Sequence, residues 1–187
     1  MQTKKIITIL KKDGTGILPT DTLYGIVSSA FSKQAVERIY KIKKRNPKKP
    51  LIILISSLID LKKFGISGRH IRTNRLTLEK FWPGPVSIVF PCTSTVKVKK
   101  IKYLHRGTKT LAFRFPKKKS LIKILKQTGP LVAPSANPEG KKPATTIAMA
   151  KKYFGDEMDF YMSGGILKNK PSALISIGEK GKIKILR

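Results

Sequence analysis

The segment Thr110-Leu111-Ala112-Phe113-Arg114-Phe115-Pro116 alternates large apolar side chains with small or polar ones. A period of two is the mark of a β-strand, whose successive side chains point to opposite faces. Leu111, Phe113 and Phe115 therefore share a core face, and Ala112 and Arg114 share the other. Downstream, Ser120 to Gln127 changes period: Leu121, Ile122, Ile124 and Leu125 make a helical stripe, and Gly129-Pro130 stops it. Leu131 to Ala133 then reads as another strand. Upstream, Ser32 can cap a helix running to Arg45, with Ala35, Val36, Ile39 and Ile42 on one face and charges opposite. A third helix is expected from Thr146 to Phe154. Further short apolar, β-branched runs are expected as strands at Ile17-Leu18, Ile26-Val27, Leu51 to Ile55, Val86 to Phe90, Leu174 to Ile177 and Ile183 to Leu186. Strands alternating with helices argue for an α/β fold with a mixed sheet and helical cover.

Composition narrows the possibilities. At 187 residues the chain is long enough for one domain, expected over residues 1–187, that buries about 70% of the surface of its unfolded form. Its longest apolar runs, such as Leu51 to Ile55, fall far short of the roughly 20 residues of a membrane helix, so no membrane span is expected. The opening MQTKKIITILKKDG has lysines on both sides of a five-residue apolar stretch and no small-residue cleavage site, unlike a secretory signal, and a cytoplasmic address is the expectation. One cysteine, Cys92, and two histidines, His70 and His105, exclude an internal disulfide and a structural zinc site.

Forty Lys and Arg against ten Asp and Glu give a formal charge of +30. Such an excess favours anionic partners such as nucleotides or RNA. Yet 32 of the 40 cations are lysines, accompanied by abundant isoleucine, as an AT-rich genome also produces by drift at solvated positions. The eight arginines are the more informative cations, because a planar bidentate donor is harder to replace.

Neither a Ser-His-Asp arrangement, a Walker lysine motif nor Gly-x-Gly-x-x-Gly is present. The carboxylates are scattered, and Asp156, Glu157 and Asp159 read as a solvated helix end. What stands out is cations and hydroxyls next to expected strand ends, where α/β sheets bind ligands: Lys43, Arg45, Lys48 and Lys49 before the strand at Leu51, and Ser135 and Asn137 after the strand ending at Ala133. Taken singly each has an ordinary explanation, since lysine at a helix C-terminus suits the dipole and Ser-Ala-Asn-Pro forms a turn.

Four segments occur together in order: PTDTLYG (Pro19 to Gly25), KKRNPKKPL (Lys43 to Leu51), TLAFRFP (Thr110 to Pro116) and APSANPEG (Ala133 to Gly140). With them the chain resembles the YrdC-type (TsaC) threonylcarbamoyl-AMP synthase family over nearly its whole length, the Lys-x-Arg and Ser-x-Asn pairs being matched by Lys43/Arg45 and Ser135/Asn137. The resemblance implies a single YrdC-like domain, a twisted mixed sheet with helices around a basic concave cleft. It implies synthesis of threonylcarbamoyl-AMP and pyrophosphate from L-threonine, bicarbonate and ATP with magnesium, the first step of threonylcarbamoyladenosine formation on tRNA, with tRNA met directly or through the transferase complex. By matching positions it puts Thr22, Arg114, Ser135 and Ser172 at threonine, and Lys43, Arg45, Lys49, Thr110, Asn137, Thr145 and Arg187 at the nucleotide, with Lys43, Arg45, Ser135 and Asn137 as the catalytic set. Two positions depart from it: Ser176 where many members have Asp, and Leu54 where some have His. A role for Asp21 in placing magnesium stays open.

The rival readings are a noncatalytic or divergent YciO-like paralogue, a carbamoyl-adenylate-forming relative of the hydrogenase-maturation type, and a noncatalytic RNA binder. The complete Lys-x-Arg and Ser-x-Asn set speaks against the first. The second lacks its cysteine-rich and acylphosphatase regions here. Aromatic residues make up only 7% of the chain, giving the third no base-stacking signature.

Overall fold

A computed structural model of the chain describes residues 2–178 and 182–187. In chain order its elements are α1 (Gln2–Lys11), β1 (Gly16–Pro19), β2 (Tyr24–Ser29), α2 (Lys33–Lys43), β3 (Ile52–Leu54), α3 (Asp60–Lys63), α4 (Gly68–Thr73), α5 (Arg75–Phe81), β4 (Val86–Pro91), α6 (Thr95–Lys100), α7 (Lys102–His105), β5 (Thr110–Arg114), α8 (Lys119–Thr128), β6 (Leu131–Val132), α9 (Ile147–Phe154), β7 (Phe160–Tyr161), β8 (Ala173–Ile177) and β9 (Ile183–Ile185). The strands form one open sheet in the order β7-β1-β2-β6-β3-β5-β4-β8-β9. Pairings β1–β7, β3–β5 and β4–β8 are parallel and the others antiparallel, so the sheet is mixed.

Two apolar clusters show how the sheet is covered. Ile17, Ile26, Ile53 and Val132 belong to the larger cluster, while their neighbours Leu18, Val27, Leu54 and Leu131 belong to the smaller. Successive strand residues point to opposite faces, so each cluster marks one face. The larger cluster takes in residues of α2 to α5, α7 and α9 and an aromatic series in which Phe113 lies 5.1 Å from Phe64 and 5.9 Å from Phe90, ring centre to ring centre. The smaller cluster joins Ile6, Ile7 and Leu10 of α1 to Leu121, Ile124 and Leu125 of α8. Those two helices cover only the half of their face built on β1, β2, β6 and β3. The same face continues past them over Ile52, Ala112, Val89 and Leu174, and there it is the floor of a cleft.

The three helices expected from periodicity all form, with Ser32 and Thr146 serving as N-caps through their hydroxyls to the amides of Ala35 and Met149. All eight expected strands form as well, and β7 is an addition.

Candidate functional site

A cleft of about 400 Å³ opens on the uncovered half of the sheet. That volume lies within the range of small-molecule sites. Its walls come from loops that adjoin the strand ends, and four local structures shape them.

The first is the turn joining β1 to β2. Thr20 accepts the amides of Thr22 and Leu23 on its hydroxyl, at 3.1 and 3.2 Å, and donates that hydroxyl to the Leu23 carbonyl at 2.7 Å. The turn thereby presents the Thr22 hydroxyl to Arg114 at the end of β5. Arg114 Nη1 donates to Thr22 Oγ1 at 2.8 Å, and its Nη2 lies 3.2 Å from the carboxylate of Asp21. The guanidinium is nearly enclosed, and burial lowers its pKa despite the neighbouring Asp21. Asp21 is fixed in turn by the Lys117 amide, 3.1 Å away.

The second is the end of α2. Lys44 takes a left-handed conformation at φ 50°, its amide donating to the Lys41 carbonyl and the Arg45 amide to Tyr40. This paired closure ends the helix and turns the chain sharply. Arg45 is thrown onto the cleft wall, where its side chain lies along the carbonyls of Lys49 and Pro50, each 3.3 Å away. Asn46-Pro47 then makes the return turn, with the Lys49 amide on the Asn46 carbonyl and the Lys48 amide on its side-chain oxygen.

The third is the segment after β6. The amide of Ala133 reaches Ile52, the amide of Ile26 reaches the Pro134 carbonyl, and the amide of Ala136 reaches the Tyr24 carbonyl, so the stretch is clamped between β3 and β2 with Ser135 opposite Gly25. The fourth is the C-terminal hairpin. Arg187 exchanges backbone hydrogen bonds with Leu174, and its guanidinium donates to the Ser172 carbonyl at 3.1 Å, while Ser172 and Ser87 share a hydrogen bond of 2.9 Å.

Seven of the residues singled out from the sequence therefore meet on the cleft: Thr22, Arg45, Thr110, Arg114, Ser135, Ser172 and Arg187. Four do not line it: Lys43, Asn137, Lys49 and Thr145. The Lys43 amine is buried and donates to the Ser135 carbonyl at 2.6 Å and to the Asn137 carbonyl, holding the Ser-x-Asn loop from behind. Burial, with Arg45 adding like charge, pushes this amine down to about 7. Asn137 donates to the Pro138 and Lys141 carbonyls, at 2.9 and 2.7 Å, and leaves its own side-chain oxygen buried without a partner. Lys49 turns outward to Glu139, and the Thr145 carbonyl accepts the Leu167 amide.

The structure also brings in residues that the sequence did not single out. Tyr24 is fully buried; its phenol donates to the Gly165 carbonyl at 2.7 Å and accepts the Gly164 amide at 2.8 Å, tethering the loop that precedes Ser172. Glu139 ties two loops together. Asp159, expected on a solvated helix end with Asp156 and Glu157, instead accepts the Thr15 amide and pairs with Arg38 at 2.8 Å. Leu54 packs in the smaller cluster beside Arg114 in register, and Ser176 sits between Val89 and Lys184 in the sheet. Neither histidine enters the cleft: His105 is bonded at both ring nitrogens and His70 packs edge-on against Phe90. Burial pushes the Cys92 thiol up to about 11. Among the described residues no three His, Cys, Asp or Glu side chains gather as a metal cage, and no helix is long and apolar enough to cross a membrane.

Arginines and hydroxyls converging on a cleft without a nucleophile and base pair suit a site that holds anions and stabilises charge. Known proteins resemble the chain in sequence and in fold. The threonylcarbamoyl-AMP synthase of Pyrococcus abyssi is 32% identical over 149 residues, which is 79% of this chain and 42% of that protein. The enzyme of the same name from Klebsiella pneumoniae is 30% identical over 151 residues, 80% of this chain and 77% of that protein. The crystal structure of P. abyssi Sua5 complexed with L-threonine superposes with a TM-score of 0.86 at 28% identity, covering all of this chain and 53% of that one. This chain thus spans about half the length of some relatives it matches. The family model described as Sua5_yciO_yrdC, telomere recombination, matches residues 8–187. On the match across almost its full length, the chain belongs to the Sua5/YciO/YrdC family.

Proposed function

We propose that the chain is an L-threonylcarbamoyladenylate synthase, a nucleotidyltransferase that makes threonylcarbamoyl-AMP and pyrophosphate from L-threonine, bicarbonate and ATP. The observation that carries the reading is the meeting of Arg45, Arg114 and Arg187 with the hydroxyls of Thr22, Ser135 and Ser172 on one cleft. The relatives named threonylcarbamoyl-AMP synthase, and the P. abyssi Sua5 complex with L-threonine, support it.

The chemistry balances without a covalent enzyme intermediate. Threonine's amine and bicarbonate form a carbamate with loss of water, a carbamate oxygen attacks the α-phosphorus, and the bond to the β-phosphate oxygen breaks to release pyrophosphate. Such a displacement needs alignment and charge stabilisation more than a protein nucleophile. Arg114, oriented by Asp21 and Thr22, would receive the threonine carboxylate. Ser135 and Ser172 would hold its polar groups. Arg45 and Arg187 would flank the phosphates, with Thr110 near the nucleoside. Lys43 and Asn137 shape the loop that carries Ser135, and Lys49 and Thr145 border the same region. Magnesium would enter with the nucleotide's phosphates, as part of the substrate, rather than on protein carboxylates. The product would serve tRNA modification in the cytoplasm, passing to a threonylcarbamoyl transferase or to tRNA directly.

The test is pyrophosphate release from ATP with L-threonine and bicarbonate, each omitted in turn and threonine replaced by serine. Release that needs both co-substrates and is lost in Arg45→Ala supports the reading; release unaffected by Arg45→Ala, or none at all from the unaltered chain, overturns it.

A further inference from the structure

Glu139 belongs to none of the segments' matched site residues, yet it touches both loops on the nucleotide side of the cleft. Its backbone amide donates to the carbonyl of Lys43 at 2.9 Å. Its carboxylate accepts the backbone amide of Asn46 at 2.5 Å on one oxygen and the Lys49 ammonium at 2.6 Å on the other. Ninety-odd residues of chain separate these partners, so the contacts join segments that are independent in sequence. The Asn46 amide lies just past the left-handed closure of α2, where helical partners have run out, and a side-chain acceptor takes their place.

What this staple holds is the short strap that presents Arg45. Arg45 rests on the carbonyls of Lys49 and Pro50, and the Tyr40 phenol donates to the Lys49 carbonyl at 2.9 Å. The strap is thus pinned by Tyr40 from the helix side and by Glu139 from the Ser-x-Asn loop. An exposed ion pair alone contributes little. A carboxylate that also receives a backbone amide is a charge-assisted bond with one geometry, and it fixes the strap rather than merely neutralising a lysine.

Resting on the synthase reading, we propose that Glu139 is a positioning residue for the nucleotide: by clamping Asn46 and Lys49 to the Ser-x-Asn loop it keeps Arg45 on the cleft wall in the pose that receives phosphate. It acts through Arg45 and touches no substrate. Its effect falls on ATP and spares threonine, because Arg114 and Thr22 are held by Asp21 and the β1–β2 turn, and Ser135 by Lys43 and its place opposite Gly25, none of which the Glu139 side chain contacts.

The experiment measures ATP binding and threonine binding separately by titration calorimetry on the full chain, for the unaltered protein, Glu139→Ala and Glu139→Gln, together with amide hydrogen exchange at Asn46 without ligand. Glu139→Ala should weaken ATP binding about tenfold, leave threonine binding within twofold and speed exchange at Asn46. Glu139→Gln, whose amide oxygen can still accept the Asn46 amide but cannot pair with Lys49, should recover part of the ATP affinity. Unchanged or tighter ATP binding in Glu139→Ala overturns the proposal, as do equal losses for ATP and threonine, which would mark a general loosening of the fold. If the unaltered chain binds ATP and makes the adenylate while Glu139→Ala is indistinguishable from it, only this inference falls. If the unaltered chain binds no ATP, the synthase reading falls with it.

Discussion

Arg114 Nη1 donates to the Thr22 hydroxyl across 2.8 Å, joining the end of β5 to the turn after β1. The guanidinium is thereby aimed before any ligand arrives, with Asp21 on its other side. Only a planar fork can serve Thr22, Asp21 and an incoming carboxylate together. Arg114→Lys is expected to raise the KM for threonine by about 10- to 100-fold, the loss of one charge-assisted hydrogen bond or two, while ATP binding stays within twofold. Steady-state kinetics with each substrate varied in turn checks this, and equal effects on both substrates would refute it.

Lys43 provides a pH-dependent signature. Its amine is pushed down to about 7 by burial and by Arg45, against 10.5 ordinarily. Between those values the unfolded chain binds more protons than the folded one, so this group makes stability rise with pH from about 7 to about 10. A neutral amine has two N–H donors, matching the two carbonyls it reaches. Lys43→Met removes the titration and strands both carbonyls. The stability difference between the unaltered chain and Lys43→Met should therefore grow in favour of lysine by at least about 1.4 kcal/mol, one pKa unit's worth, between pH 7 and pH 10. Denaturant titrations at several pH values give the answer, and a flat difference would be incompatible with a buried, depressed amine.

Removing the Tyr24 phenol should loosen one loop and leave the sheet intact. Tyr24→Phe deletes the partner of Gly164 and Gly165, at a cost of about 1 kcal/mol, because a partly buried carbonyl and amide lose their hydrogen bonds together. Limited proteolysis should cut faster between Ser163 and Lys170 than elsewhere. Uniformly faster cutting would mean that Tyr24 supports the whole core instead.

Arg187 closes the cleft from the last strand pair, and its backbone bonds to Leu174 do not depend on its side chain. Arg187→Ala should weaken ATP binding by about three- to tenfold, as for one exposed charge-assisted contact, and change stability by no more than about 0.5 kcal/mol. Calorimetry beside thermal unfolding separates the two effects; unchanged ATP binding would remove Arg187 from the site.

Much of this architecture is legible in the sequence because its signals are periodic. The alternation over Thr110 to Phe115 puts Ala112 and Arg114 on one face, and those two residues line the cleft while Leu111 and Phe113 fill the core. β7 is not legible, since Phe160-Tyr161 is too short for any period and forms by pairing with β1. The short helices α3, α4, α5 and α7 carry no full apolar stripe, and their residues are placed by the large cluster they pack on. In the candidate site, Lys43 and Arg45 look equivalent in sequence as two cations at a helix end. The left-handed residue between them sends one inward and the other onto the cleft, and a lysine at positive φ gives no warning of that turn. Glu139 is invisible for a similar reason: its partners lie ninety residues away, and no local pattern encodes them.

Among the described lysines, Lys43 alone is buried. Reagents that acetylate accessible amines would strip most of the positive charge from this protein and leave that one amine unreacted. Acetylation of the folded chain therefore acts as a filter: it silences the outer lysines, Lys49 among them, in one step and leaves the interior junction on which Ser135 and Asn137 rest, so activity lost on labelling would trace to the outer lysines and activity kept would show them dispensable.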